Sequence, residues 1–208
     1  MKCFLTSPSR IGAQRFPAAM VLAFVFGMIG CAAKHVVLVP APTATLAAQP
    51  NSAQGSSQGV SVLVQADAWN SYPPTLDREL IPIKVTIQNE SGHDLAVRYE
   101  DFVLIAANNR RYGDIHPDQI RGYDYEHLEP YWAYSDAGYA EVRLPTEAML
   151  KQAMSQGVVT TGGEINGFLY FPRPSKIPQA ITFSAALVDA HTRQKFGEIA
   201  VPLVVKPL

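Results

Sequence analysis

Hydrophobic and polar residues alternate through much of the chain, and this pattern constrains the fold more than any other feature. In the clearest run, Ile81 to Ile87, isoleucine or valine occupies every second position. A period of two places the apolar side chains on one face of an extended strand, so each such run predicts a half-buried β-strand. Similar alternation occurs at Val60 to Ala66 and Leu95 to Tyr99, and further strand runs occur at Ile165 to Phe171, Ile181 to Val188 and Phe196 to Val205.

Turn signals separate these runs. The polar stretch Asn89 to Asp94 has the composition of a turn, and the apolar run after it predicts a β-hairpin. Thr146 to Gln156 (TEAMLKQAMSQ) predicts one short helix, bounded by Pro145 and Gly157. Several strands with one inserted helix predict a mostly β fold, an immunoglobulin-like antiparallel β-sandwich over residues 60–208.

The first thirty residues have the layout of an export signal. All their charges are basic, and they precede an apolar run from Ala18 to Ile29. That run is too short to cross a bilayer core as a helix, which needs about 20 residues, but it suits the hydrophobic region of a signal peptide. We therefore expect residues 1–30 to be removed on export.

The end of that signal, Met28-Ile29-Gly30-Cys31, resembles the lipobox of bacterial lipoproteins. The resemblance implies that Cys31 becomes the first mature residue, with a diacylglyceryl group on its sulfur and a further fatty acyl chain on its amine. Two or more chains anchor a protein stably, whereas one binds marginally. Ala32 and Ala33 follow in place of an aspartate, which by the same resemblance implies the outer membrane, facing the periplasm. The alternatives are an uncleaved anchor helix and an ordinary secretory signal.

Residues 31–59 differ in composition from the rest of the chain. Pro40 to Gly59 has no charge and no aromatic residue, and is rich in Ala, Ser, Pro, Gln and Gly. Such a segment has too little apolar area to offset the entropy of ordering. The composition predicts a lipidated N-terminus and a disordered tether over 31–59.

Cysteine and charge narrow the possible functions. Cys3 leaves with the signal, so Cys31 is the one remaining cysteine and no intramolecular disulfide can form. Loss of Lys2, Arg10 and Arg15 leaves 14 basic and 18 acidic residues, a net charge of −4. Nucleic-acid binding requires clustered Lys and Arg, which this chain lacks, so we predict no nucleic-acid partner.

Residues 108–138 form the least regular part of the sequence, and long irregular segments in compact domains often carry function. Aromatic side chains are concentrated there, and they offer large contact areas with a polar edge. One interpretation is a binding loop for a sugar, a peptide or a cation; the other is a loop packed onto the sandwich by its own tyrosines. The candidate binding residues are Tyr123, Tyr125, Tyr131, Trp132 and Tyr134.

A metal site is a further hypothesis for the same segment. Asp114, His116 and Asp118 alternate along it, and carboxylate and imidazole groups are ligands that suit zinc. Their spacing matches no established signature and Pro117 interrupts it, so we predict no resident metal or cofactor. A periplasmic protein that binds a metal or a small ligand through residues 108–138 remains the alternative function.

Catalytic signatures offer little support for an enzyme: there is no HExxH pair and no reactive cysteine beyond the anchor. The segments IPIKVTIQNESGHDLAVRYEDFVLI and GGEINGFLYFP resemble small immunoglobulin-like domains of unknown function in bacterial lipoproteins and secreted antigens. This resemblance implies a non-catalytic binding or envelope-support module. Its expected partners are the membrane, through the lipid anchor, and an envelope protein or cell-wall component.

Overall fold

The computed structural model describes residues 36–127 and 139–207. Its helical elements are α1 (Glu147–Gln152) and three 3-10 turns, at Leu76–Arg78, Tyr99–Asp101 and Pro117–Gln119. The strands in chain order are β1 (Val36–Pro40), β2 (Thr45–Leu46), β3 (Ser52–Ser57), β4 (Val60–Gln65), β5 (Leu80–Asn89), β6 (Leu95–Val97), β7 (Phe102–Ala106), β8 (Arg111–Gly113), β9 (Gly122–His127), β10 (Tyr139–Leu144), β11 (Gly157–Val159), β12 (Gly163–Pro172), β13 (Ala180–Asp189) and β14 (Lys195–Pro207).

Two antiparallel sheets build the fold. In sheet 1, β14 lies between β1 and β13, and the other edge of β13 pairs with β6 and β7 in succession. β11 adds to β6, and β8 adds to β7. Sheet 2 has the order β12-β5-β4-β3-β2, while β9 and β10 pair with each other. The predicted mostly β antiparallel sandwich with one short helix is confirmed.

The main core lies between the two sheets and uses the alternating positions of the sequence. In β5, Ile81, Ile83, Val85 and Ile87 are each at most 5 % exposed. Burying each such aliphatic side chain contributes about 1.5–3 kcal/mol relative to exposure. The opposing sheet presents Ile181, Phe183, Ala185 and Leu187 from β13, and Ile199, Val201 and Leu203 from β14.

The predicted disordered tether over 31–59 is wrong for the residues from Val36 onward, which form β1, β2 and β3. Small residues are required here by close packing. A Cβ atom on Gly55 would lie 2.6 Å from the Ile199 side chain, so the two sheets approach closely at this point. Gln58 and Gly59 both have positive φ and join β3 to β4, as a tight two-residue hairpin turn demands. The start of the folded domain therefore moves from residue 60 to residue 36.

The predicted hairpin around Asn89 to Asp94 is also wrong. Both edges of β5 are occupied, by β4 and β12, so the chain beyond the turn has no free edge of β5 to pair with. It crosses instead to sheet 1, where β6 pairs with β13 and β11. The turn residues predicted a reversal correctly but not the sheet that receives the next strand.

Asn89 fixes this crossing. Its side chain is fully buried, and its Nδ2 donates to the carbonyl oxygens of His93 at 2.7 Å and Val159 at 2.8 Å. Its Oδ1 accepts from the backbone N–H of Ser91 at 3.1 Å and from the Ser91 hydroxyl at 2.6 Å. One side-chain amide thus hydrogen-bonds to polar groups of the turn and also ties the turn to β11.

A second, smaller core covers the outer face of sheet 2. In β12 the consecutive residues Phe168 to Phe171 are all at most 4 % exposed. Leu169 and Phe171 enter the main core, whereas Phe168 and Tyr170 face the second core. Trp69 packs edge-on against Phe168, with ring centroids 5.1 Å apart. The remaining members of the second core are Leu76, Leu80, Ile120, Leu144 and Met149.

The short helix α1 is one wall of this second core. Thr146 caps it by accepting from the Met149 N–H at 3.3 Å, and it ends at Gln152 because Ala153 is extended and bridges to Phe168. Gly167 permits that contact, since a Cβ there would lie 2.5 Å from the Met154 Cα. Among the described residues, no helix combines the length and hydropathy that a membrane crossing requires.

Replacing Asn89 by aspartate tests its role in the crossing. Asn89→Asp keeps the size of the side chain but removes both N–H donors, and it places a buried carboxylate against two carbonyl oxygens. We expect the free energy of unfolding at neutral pH to fall by at least about 3 kcal/mol in urea titrations.

The same substitution at exposed Asn108 is the matched control. The Asn108 side-chain oxygen accepts from the Arg110 N–H, a role that an aspartate retains, so a change within about 0.5 kcal/mol is expected. Equal stability of the Asn89→Asp variant and the parent protein would contradict the role assigned to Asn89.

Candidate functional site

The candidate site is a groove beside α1. It is about 480 Å³ in volume and lies between the 3-10 turn Pro117–Gln119 and the segment from α1 to Gln156. The first wall continues along the chain into β9, and the second wall follows directly after β10. The groove is lined by residues that include Tyr99, His116, Asp118, Leu150, Met154 and Gln156.

Buried tyrosines hold the walls in place. The Tyr99 hydroxyl donates to the Met154 carbonyl at 2.5 Å, and its ring meets the His116 ring edge-on at 4.8 Å. Burial, followed by the charges of Asp114 and Asp118, raises the pKa of Tyr99 to about 12. The Tyr170 hydroxyl donates to the Met149 carbonyl at 2.9 Å, and burial likewise raises its pKa. Both phenols therefore stay protonated and remain donors at neutral pH.

Asp114 and the residue after it cover the edge of β12 that no described strand pairs with. The Asp114 Oδ1 accepts from the Tyr170 N–H at 2.7 Å, while the next N–H, of Ile115, donates to the Tyr170 carbonyl at 2.8 Å. Its Oδ2 is buried and is the one such side-chain atom without a hydrogen-bond partner in the part of the chain that the structure describes. Burial raises the pKa of Asp114 to about 8, against the opposing effect of these two N–H groups.

The structure does not bring Asp114, His116 and Asp118 together as metal ligands. The Asp114 carboxylate accepts from the Tyr170 N–H in β12. The His116 Nδ1 instead faces Asp118, accepting from the Asp118 N–H at 3.3 Å and lying 3.4 Å from the Asp118 Oδ2. Asp118 is exposed. Among the side chains that the structure describes, no group of three or more His, Cys, Asp or Glu is arranged to hold a metal ion.

The β9–β10 pair corrects the prediction of one irregular loop over 108–138. That segment contains β8, the 3-10 turn Pro117–Gln119 and the whole of β9. β9 and β10 are antiparallel over six residue pairs, from Gly122 opposite Leu144 to His127 opposite Tyr139. Val142 and Leu144 are 7 % and 3 % exposed, so the base of this hairpin is packed against the protein.

The predicted aromatic residues divide into three groups. Tyr123 is 49 % exposed and lies opposite exposed Arg143 at the hairpin base. Tyr125 pairs with Glu141 through the backbone, and its side chain lies outside the described part. Tyr131, Trp132 and Tyr134 lie outside the described residues altogether.

Sequence reasoning missed the contribution of α1 to the groove, above all Leu150, which is 45 % exposed. It also missed the second core, although one signal was present. The unbroken apolar run Phe168 to Phe171 is typical of a strand that is buried on both faces, and it indicates that another layer covers the sheet.

One sequence match to a catalytic motif lies in a hairpin that lacks the structural context of that motif. Gly55 to Gly59 matches the Gly-x-Ser-x-Gly pattern of serine hydrolases, in which the serine stands on a turn between a strand and a helix. Here Ser57 is the last residue of β3, and the two-residue turn after it leads into β4. Among the described hydrogen bonds, no serine hydroxyl meets a histidine ring.

A second cavity, of about 210 Å³, lies where β1 begins. Val36, Trp69, Leu80 and Arg173 are among the residues that line it. The Trp69 ring N–H donates to the Pro73 carbonyl at 2.8 Å, and Arg173 donates to the Asp77 carbonyl. The first bond lies within residues 66–79, and the second ties that segment to the residue that follows β12.

The raised pKa of Asp114 predicts a pH dependence of stability. Between about pH 4 and pH 8 the folded state keeps a proton that the unfolded state has lost, so the free energy of unfolding falls as the pH rises, by at most about 1.4 kcal/mol per unit. Asp114→Asn retains the acceptor for Tyr170 and should flatten this slope in urea titrations across the window. Asp118→Asn, on the exposed side of the same segment, should retain the parental slope. A slope that survives in Asp114→Asn would contradict the assignment.

Comparison of the chain with family models, curated proteins and solved structures finds no match.

Proposed function

We propose that this chain is a lipid-anchored bacterial envelope protein whose sandwich is a non-catalytic binding module. The β9–β10 hairpin and the groove at its base make the contact, and the partner is an envelope protein or a cell-wall component. The observation that carries the binding role is the position of the hairpin, which lies outside both sheets of the sandwich while Val142 and Leu144 at its base are buried.

The chemistry of the hairpin base supports recognition. Tyr123 offers an aromatic face with a hydroxyl, and Arg143 opposite it offers a planar cation, a combination of residue types common in the energetically important centres of interfaces. A rigid support beneath such residues reduces the entropy that binding must overcome. Leu150 adds an exposed apolar contact in the groove, where a side chain of the partner can be accommodated.

The anchoring role is supported by the lipobox-like sequence ending at Cys31 and by where β1 begins. Only residues 32–35 separate Cys31 from Val36. Even fully extended, the chain from Cys31 to Val36 spans at most about 18 Å. A lipid on Cys31 would hold the start of β1 close to the bilayer, in contrast to the slack attachment that a disordered tether of residues 31–59 would give.

Labelling with a fatty-acid analogue tests the anchor. In a bacterial host with lipoprotein processing, the parent chain should incorporate the label, lose residues 1–30 and fractionate with membranes. Cys31→Ser should incorporate none, whereas Cys3→Ser, which lies in the segment to be removed, should label like the parent. An unlabelled chain with an intact N-terminus would refute the anchor.

Site-specific photo-crosslinking tests the binding surface. A photoreactive residue at position 143 should give a discrete adduct in intact cells, because Arg143 lies exposed at the hairpin base. Tyr123→Ala should lower the adduct yield about tenfold, the effect of losing 1–2 kcal/mol of contact energy.

The matched control places the photoreactive residue at position 158. Val158 is 58 % exposed but lies in β11, in sheet 1. The adduct should not form there. Identical adducts from positions 143 and 158, or none from position 143, would refute the hairpin as the binding surface.

A further inference from the structure

We propose that the end of the sandwich where β1 begins, called here the entry end, docks on anionic phospholipid headgroups. The entry end consists of the connections 66–79, 107–110 and 173–179 together with Val36 and Lys206. The inference rests on the proposed function in one respect: the anchor at Cys31 is what would bring this end to a bilayer.

The strand register brings these segments to one end. In sheet 1, Val36 lies opposite Pro207, and Ala106 lies opposite Ile181 near the start of β13. In sheet 2, Leu80 lies opposite Pro172, so residues 66–79 leave the sheet beside residues 173–179. The Val205 N–H also donates to the Gln179 carbonyl at 3.0 Å, which joins the end of β14 to the same connection.

Charge is distributed unevenly between the two ends. The entry end carries five cations, Arg78, Arg110, Arg173, Lys176 and Lys206, against three acids, Asp67, Asp77 and Glu79. At the opposite end, the turns after β5 and β13 and the residues that flank them carry Glu90, Asp94 and Asp189 against Arg193 and Lys195. The entry end is therefore positive although the mature chain as a whole is negative.

Screening makes the local charge decisive. β14 spans 13 residues, so the acids at the opposite end lie roughly 40 Å from the entry end. That distance is several times the Debye length of about 8 Å at physiological ionic strength. A membrane at the entry end would respond to the nearby cations and hardly at all to the distant acids.

An exposed aromatic side chain at the same end favours contact with lipid headgroups. Tyr72, in the connection 66–79, is 46 % exposed. Tyrosine together with Lys and Arg is the combination enriched at membrane surfaces. Tyr72 thus accompanies the cations at the end of the sandwich where the lipid-bearing segment enters the fold.

The test uses the fragment 35–208, which contains both cores and forms a compact unit without residues 1–34. Sedimentation with phosphatidylcholine vesicles, with and without phosphatidylglycerol, measures its partition coefficient. We expect binding only when phosphatidylglycerol is present, with loss of binding at high salt. The combined Arg78→Gln, Lys176→Gln and Lys206→Gln variant should bind on the order of 100-fold more weakly, about fivefold for each cation removed.

A control with the same change in net charge separates local from overall charge. Lys151→Gln, Arg193→Gln and Lys195→Gln remove three exposed cations away from the entry end, and this variant should bind like the parent fragment. Circular dichroism confirms that each variant is folded. Absence of binding to phosphatidylglycerol, or an equal loss in both triple variants, would overturn the inference. Because the fragment lacks Cys31, a negative result here is distinct from an unlabelled Cys31, which would refute the anchor alone.

Discussion

The hydrogen bonds of the buried Asn89 amide are the interaction on which the two-sheet arrangement depends. Asn89 is the last residue of β5, where the chain leaves the middle of sheet 2 and passes to sheet 1. The amide both donates and accepts, so a single side chain satisfies the turn to His93 and the end of β11. An apolar residue here would remove the donor that Asn89 supplies to the buried Val159 carbonyl oxygen. The crossing between the sheets is thus specified by one polar group inside a largely apolar core.

The second core determines where binding chemistry can be placed. β12 has apolar contacts on both faces, and its free edge is closed by Asp114, Ile115 and Met154 through hydrogen bonds to Phe168 and Tyr170. An uncovered edge strand invites pairing with another chain, so this covering also protects the sheet. The segment that contains Asp114 and Ile115 continues along the chain into β9, and the segment that contains Met154 follows β10. The hairpin therefore starts from a packed layer, and the residues at its base have fixed positions.

Local sequence patterns predicted the strands well but not their partners. Alternation identified Ile81 to Ile87 because one face of β5 meets the main core. The turn residues after Asn89 suit a hairpin and an inter-sheet crossing equally, and only the occupied edges of β5 decide between them. Composition misled at residues 36–59, where the small side chains permit close approach of the sheets at Gly55. Disorder and dense packing of small residues look alike in composition.

The candidate site was predictable only in part, for a similar physical reason. The sequence singled out the segment that contains Tyr123 and His116, because aromatic and ionisable residues are concentrated there. The partner of Asp114, however, is the N–H of Tyr170, which lies 56 residues away. Spacing along the segment could not reveal that contact, so a residue that closes a sheet edge looked like a metal ligand. The groove likewise requires α1, which the sequence places outside the segment.

The pairing of β1 with β14 has a consequence for the order of events during biosynthesis. Val36 lies opposite Pro207, so β1 can pair only after β14, which follows all the other described strands, has been synthesised. Such long-range pairing delays closure, because the ends must find each other across the whole intervening polypeptide. A chain still emerging from the ribosome keeps β1 unpaired and extended. A truncation that removes β14 would therefore leave β1 without its partner strand.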